Sequence, residues 1–462
     1  MNIRSWGAAL AMCTALCWPA LNASADVLIE NVTLIDGTGA APLAGASVLV
    51  KGDRIDVISP VPLKHEPGVE VVDGTGKFLM PGLIDSHIHI GANTITEQKM
   101  KEQHIDGVRA LHSFLYRGVT SVLDSGNVPD YIFGMRDEER SDKFVSPRLF
   151  ATGTNVNVAG GRGGGPIRPQ GSPNSPIRLV GDWSKDGPLF ERYLKTRKPD
   201  VQKMQIDRHG VFTPPAPYMS IDQMKRIVRM ANENGVRTMI HAASEQDFND
   251  ALEAGVDEFA HMIRYPASDA LLKRLATKRI PISTTTVVFA FIELLAYTPE
   301  FLDEPVWKAS VDPDVIAYQK TVERPGFIQS GQAANFKATR HYIWQNAKKV
   351  HDMGGVLTAG TDRGWGQTLH MELELLHREA GIPLLDLTRI ATLNGAIYLG
   401  QEKDLGSIQR GKFADLLLLD ADPTKDVKNF GAIAAVYKGG QKIDFAKLDI
   451  PINKSNAPTR RR

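Results

Sequence analysis

The chain has 462 residues, above the ~250 to 300 at which a single hydrophobic core stops growing, so one large unit and a smaller companion are expected. Its 54 basic and 53 acidic residues leave a formal charge of +1, which removes any electrostatic reason to expect nucleic acid or an anionic membrane as partner.

The first 25 residues read as an export signal. Arg4 precedes an apolar run from Trp6 to Leu21, and Ala23-Ser24-Ala25 supplies the small-x-small pattern of a cleavage site. The run is shorter than the ~20 residues that a membrane span needs. A mature chain beginning at Asp26, periplasmic or secreted, is therefore expected. Cys13 and Cys17 both fall inside the signal, so that chain would hold no thiol, as suits an oxidising compartment. Residues 26–80 are β-rich, with runs such as Val27-Leu-Ile-Glu-Asn-Val-Thr-Leu-Ile35. Residues 405–450 add two more strands around a turn at Gly439-Gly440, so both ends are expected to share one small β-sandwich domain. Residues 451–462 read as a flexible tail.

Between 81 and 404, short apolar strands alternate with amphipathic helices, the signature of βα units and a parallel sheet. Ser220-Ile-Asp-Gln223 is a capping box, Met224, Ile227, Val228 and Ala231 follow at helical spacing, and Gly235 ends that helix. Ser244 to Gly255 repeats the logic. Candidate strands at 78–83, 120–123, 148–151, 201–204, 237–240, 258–260, 280–283 and 356–359 predict an α/β fold, a (β/α)8 TIM barrel. Two connections are long. The stretch 160–187 is rich in Gly and Pro, and 286–335 carries Phe289, Phe291, Tyr297, Phe301, Trp307 and Tyr318. Both are expected to be lids or binding loops.

His87 and His89 stand two apart, so strand geometry aims both imidazoles to one side at a strand's carboxyl end. Alone, such a pair is often accidental. Later strands, however, supply Lys203, His241, His261 and Asp362, making candidates on five separate strands, and a barrel gathers such groups at one face. The plainer readings are a structural lysine at 203 and a helix N-cap at Asp362. His104, His112, His351, His370 and His377 lie on helical stretches and are assigned to packing or surface. Asp124, at a strand end, either supports the site from behind or closes a turn.

These residues resemble the amidohydrolase superfamily, particularly its imidazolonepropionase-like and Xaa-Pro dipeptidase-like branch. The likeness covers nearly all of the mature chain. It rests on Pro81-Gly-Leu-Ile-Asp-Ser-His-Ile-His89, Gly118-Val-Thr-Ser-Val122, Ala359-Gly-Thr-Asp362, Ala391-Thr-Leu-Asn-Gly-Ala396 and Leu405-Gly-Ser-Ile-Gln-Arg-Gly-Lys-Phe-Ala-Asp-Leu416. It implies two divalent metal ions, zinc being the first expectation, one held by His87, His89 and Asp362 and the other by His241 and His261. Lys203 falls where relatives carry a carbamylated (N6-carboxylated) lysine that bridges both ions. Unmodified, with a pKa near ~10.4, it would offer a dication no lone pair. A metal-activated hydroxide then attacks the substrate carbonyl, and Asp362 carries the proton to the leaving nitrogen.

Relatives often place a histidine after the third strand, where this chain offers Arg162. Arg162, Arg208, His209, Arg264, Tyr265 and Arg363 are candidates for gripping a substrate carboxylate, since a guanidinium matches it in two hydrogen bonds. Together with the export signal, the resemblance implies a metal-dependent hydrolase of C–N bonds acting on an N-acyl amino acid, dipeptide or related small-molecule amide. No nucleic acid and, after signal cleavage, no membrane are expected as partners, with a homo-oligomer left open. A lactone, carbamate or urea hydrolase is the alternative on the same centre. A non-catalytic periplasmic binding protein is the alternative of another class.

Overall fold

The computed structural model describes residues 26–90, 106–158, 160–161, 177–179, 181–208 and 217–455. The expected signal at 1–25, His104, Arg162, His209, most of the glycine-rich connection and the end of the tail lie outside them.

Eight strands from the two ends of the chain form one hydrogen-bonded sheet. Val27–Leu34, Leu43–Lys51, Arg54–Ser59, Glu70–Asp73 and Phe78–Pro81 come from the first end, Leu416–Leu419, Ile433–Lys438 and Gln441–Lys442 from the other. Leu416–Leu419 is the seam. It runs antiparallel to Phe78–Pro81 on one side, with Leu417 opposite Met80, and to Ile433–Lys438 on the other. Val27, Ile29, Val32, Val48, Leu79, Leu416 and Leu418 pack into one buried cluster drawn from both ends. Burying such branched and leucine side chains contributes about 1.5 to 3 kcal/mol each.

The expected first barrel strand at 78–83 is two strands. Phe78–Pro81 belongs to the end sheet, and Leu83–Ile88 opens a parallel sheet. Gly82 is the hinge. Its N–H donates to the Asp415 carbonyl at 2.8 Å, and a Cβ there would meet Thr120 Oγ1 at 2.0 Å, so only glycine lets the chain cross at this point.

Leu83–Ile88, Val119–Asp124 and Arg148–Ala151 pair in parallel. A second parallel sheet runs, in spatial order, Ile177–Leu179, Asn155–Asn157, Val201–Gln205, Arg237–His241, Glu258–Phe259, Ile282–Ser283 and Leu357–Thr358. Ser86 N–H donates to the Ala359 carbonyl at 3.0 Å and Asp362 N–H to the His87 carbonyl at 2.7 Å, which ties the first parallel strand to the chain leaving the last. This is a mixed α/β fold of the TIM-barrel type. Val119–Asp124 is buried at every position because helices cover parallel sheets on the outside. Ile221–Glu233 carries the capping box at Ser220 and Gln223 and buries Met224, Ile227, Val228 and Ala231.

Helices enter both long connections. Within 160–187 a helix, Trp183–Arg197, already begins, capped by Asp182. Gly187 lies inside it, where an added Cβ would meet the Trp183 ring at 3.1 Å. The stretch 286–335 is helical, from Thr286–Tyr297 through Pro305–Ser310, Pro313–Tyr318 and a π-helical turn at Gln319–Glu323 to the start of Gln332–Asp352. Phe289, Phe291 and Trp307 are buried, with ring centroids 5.3 Å apart for Phe291 and Phe301 and 5.4 Å for Phe301 and Trp307. These aromatics anchor the insertion to the core, and Tyr297 is exposed. Among the described residues no helix is long and apolar enough to cross a membrane.

Candidate metal centre

His87, His89, Lys203, His241, His261 and Asp362 come together at the carboxyl ends of the parallel strands. The ring centroids of His87 lie 5.3 Å from those of His89 and 4.8 Å from those of His261, and His241 and His261 are 4.6 Å apart. Asp362 Oδ1 sits 3.1 Å from His89 Nε2 and 3.5 Å from His87 Nε2. Lys203 Nζ is 3.0 Å from His87 Nε2.

The surroundings orient the rings. His89 Nδ1 lies 3.1 Å from the Gly126 carbonyl, which can only accept, so Nδ1 carries the hydrogen and Nε2 keeps its lone pair. Asp124 holds that loop by accepting from the N–H groups of Ile90 and Gly126 and from Asn127 Nδ2. His261 Nδ1 meets Thr285 Oγ1 at 2.8 Å, and His241 Nε2 faces Asp207 Oδ2 at 3.4 Å.

Asp362 sits in the left-handed region at φ 53°, a conformation that costs a non-glycine residue about 1 kcal/mol or more and clusters at functional sites. The turn is held by buried Asp85, whose carboxylate accepts from the N–H groups of His87 and Thr361 and from Thr361 Oγ1. Gly360 is required here because a Cβ would meet Ser283 Oγ at 2.1 Å. The helix that follows is capped at Gly366, so Asp362 is no N-cap.

Burial holds the His87 and His261 imidazoles well below their ordinary pKa, hence neutral. Burial works against ionisation of Asp362, yet His89, His87 and His261 around it keep its carboxyl well below the usual range. Burial also draws Lys203 down to about 8, with Asp362 and Asp124 opposing. Neutral imidazoles around an ionised carboxylate form a donor set for a divalent cation. His89 Nε2 and Asp362 Oδ1 are buried and face each other at 3.1 Å, and among the described residues neither has another hydrogen-bond partner, a costly arrangement for polar atoms. One ligand atom each from His87, His261 and Asp362 lies within 4.8 Å of the others, a spacing that a cation with bonds of ~2.0 to 2.2 Å can span. The residues fit a metal ion.

The substrate candidates separate. Arg363 stacks 4.2 Å above the Phe291 ring with its Nε buried and unpartnered, beside Asp362. Tyr265 Oη accepts from Arg264 and lines an open pocket with Ser244, Glu245, Gln246 and Pro266. Arg208 is committed to Asp247 and Asp250 and stacks on Tyr218, which removes it as a free carboxylate grip. His112, His370 and His377 bond the carbonyls of Val145, Arg117 and Ile382, and His351 pairs with Asp386. Asp85, Asp207 and Glu372 were not picked out from sequence. The first two had a signal, since Asp85 precedes His87 by two and Asp207 follows Lys203 by four, both on the strand's site-facing side.

A model of the amidohydrolase family, described as "Amidohydro_1: Amidohydrolase family", matches residues 78–443. Ochratoxinase from Aspergillus niger is 23% identical over 466 residues, covering 92% of this chain and 88% of that protein. Imidazolonepropionase from Geobacillus sp. (strain WCH70) is 22% identical over 392 residues, covering 76% of each. A crystal structure of a Xaa-Pro dipeptidase with methionine bound in the active site superposes with a TM-score of 0.72 at 21% identity, covering 91% of this chain and 100% of that one. The chain belongs to the amidohydrolase family. It is an enzyme, a hydrolase acting on carbon–nitrogen bonds, and the alternative of a non-catalytic binding protein falls away.

Proposed function

We propose that this enzyme hydrolyses the amide bond of an N-acyl amino acid, dipeptide or related amide at a centre of two divalent ions, zinc being the first choice. The observation that carries the reading is the buried pair His89 Nε2 and Asp362 Oδ1, 3.1 Å apart and with no other partner among the described residues, beside neutral His87 and His261. His87, His89 and Asp362 would hold one ion, His241 and His261 the other, and Lys203, N6-carboxylated, would bridge them. Its burial favours the neutral amine, the form that adds to CO2. Such ions supply Lewis acidity that polarises the scissile carbonyl and brings deprotonation of water within reach of neutral pH. Asp362 takes the proton from the attacking water and passes it to the leaving nitrogen. Arg363, backed by Phe291, is positioned to pair with a substrate carboxylate. Closure of the parallel strands into one barrel, a two-layered end domain, and export to the periplasm or medium directed by residues 1–25 belong to the same proposal. The cluster that joins both chain ends supports the layered domain.

The test is a panel of N-acyl amino acids, dipeptides and lactones offered to metal-loaded protein. Amides should be turned over, and chelation should stop them. Asp362→Asn should keep most bound metal and lose turnover by about 10²- to 10⁴-fold, the range for a general acid or base. Lactones as the better substrates, or an unchanged rate in Asp362→Asn, would overturn the proposal.

A further inference from the structure

We infer that Glu323 is a specificity-determining residue that selects substrates carrying a cationic nitrogen near the carboxylate held by Arg363; this rests on the amide reading above. Arg363 is fixed at its backbone, where its N–H donates to Thr361 Oγ1 at 3.3 Å and its carbonyl accepts from His89 N–H at 3.3 Å. Its guanidinium lies 4.2 Å above the ring of Phe291, a residue of the insertion. Glu323 closes the π-helical turn Gln319–Glu323 of the same insertion, a kind of turn that recurs at functional sites.

Glu323 is the carboxylate that acts most strongly on the Arg363 guanidinium, ahead of adjacent Asp362, and Arg363 is the charge that acts on Glu323. The two do not close on each other. A carboxylate that serves a guanidinium as counter-ion comes within hydrogen-bond reach, as Asp415 does at 2.7 and 3.0 Å from Arg148. Arg363 Nε and Glu323 Oε2 are instead buried, and among the described residues neither has a hydrogen-bond partner. As whole residues both stay half-buried, which leaves them open to a solute. Gln319, at the start of the turn, adds Oε1 as a second buried acceptor without a partner among the described residues.

A guanidinium and a carboxylate held apart match a zwitterion. A substrate carboxylate takes the fork of Arg363, and an ammonium on the same molecule, with three hydrogens to donate, takes Glu323 and Gln319. That ammonium comes either from the free amino end of a dipeptide or from a basic side chain on the amino acid that bears the carboxylate. An isostere without it leaves the Glu323 carboxylate unpaired in a shielded site, the penalty by which polar pockets reject analogues.

The experiment compares two isosteric pairs: alanyl-phenylalanine with propionyl-phenylalanine for the amino end, and Nα-acetyl-lysine with Nα-acetyl-norleucine for the side chain. Full-length wild type, Glu323→Gln and Glu323→Lys are measured with each, metal-free for binding by calorimetry and metal-loaded for kcat and KM. In the wild type the ammonium-bearing member of one pair should lead by about 10- to 100-fold, the range for a hydrogen bond between charged groups, and the pair that shows it names the source. Glu323→Gln should bring that ratio to within about threefold of one, through KM, and Glu323→Lys should invert it. No preference in either wild-type pair overturns the inference. So does a ratio that survives in Glu323→Gln while both members weaken together, the mark of a carboxylate that only steadies Arg363. If none of the four compounds is hydrolysed, the amide reading fails, while the binding ratios still decide the role of Glu323.

Discussion

Lys203 shows how one buried side chain ties stability to chemistry. Its ammonium lies beside His87 in a site closed to water, and burial lowers its pKa from 10.5 to about 8. Without metal or CO2, the folded state therefore holds fewer protons than the unfolded chain between about pH 8 and 10.5. Stability contributed by this group rises with pH across that window, because the charge that burial penalises is being removed. The shift corresponds to about 3 kcal/mol at most. Urea unfolding of metal-free protein in CO2-free buffer should thus show the wild type gaining on Lys203→Met from pH 8 upward, levelling above pH 10.5. A pH-independent difference would mean that the lysine keeps its proton in the folded protein as readily as in the unfolded chain. The same penalty supplies the neutral amine that the proposed carboxylation consumes, so the two effects have one cause.

At the scale of elements, the helix Thr286–Tyr297 starts on a carboxylate borrowed from another helix. Glu372, on Gln367–Arg378, accepts from the N–H groups of Thr286 and Val287 and from the hydroxyls of Thr284 and Thr286. Its charge meets the positive end of the helix, although burial pushes its pKa up to about 7 against those bonds. The turn so held keeps Thr285 at φ 46°, from which its hydroxyl reaches His261. Glu372→Ala leaves several buried donors without an acceptor and should lower the unfolding free energy by about 2 to 4 kcal/mol, read by denaturant titration. A loss under about 0.5 kcal/mol would show that water replaces the carboxylate. This contact was not legible in the sequence, since Glu372 and Thr286 are 86 residues apart. What was legible is local. The period-two spacing of His87 and His89 and the capping boxes at Ser220 and Ser244 stand as read, because they depend on neighbours within four residues. The expectation of a lid or binding loop at 286–335 named no helices, although Pro299, Pro305 and Pro313 each mark a first helical turn. Asp207 and His241 meet only through strand pairing, which composition and period do not specify.

For the whole molecule, the end sheet and the parallel strands are joined at the face opposite the histidines. Arg148, first in its parallel strand, binds Asp415 through Nε at 2.7 Å and Nη2 at 3.0 Å, both side chains buried. Asp415 also accepts from Gly439 N–H, and its own carbonyl receives Gly82 N–H at the crossing between the sheets. The Phe413 ring lies between the guanidinium groups of Arg54 and Arg148, each 4.0 Å from its centroid. A buried pair contributes little net stability against an apolar replacement of similar shape, yet removing one partner strands the other. Arg148→Met should therefore lower the unfolding free energy by about 3 to 5 kcal/mol, and adding Asp415→Leu should restore most of it. Guanidinium unfolding of both variants measures this, with zinc binding by the folded fraction as the control. That binding should not change, because the pair sits at the amino ends of the parallel strands while His87 and Asp362 stand at the carboxyl ends. A single variant as stable as the wild type would mean that Asp415 is solvated once Arg148 is gone, and that the two sheets are held chiefly by the backbone bonds around Gly82 and by the leucines of 416–419.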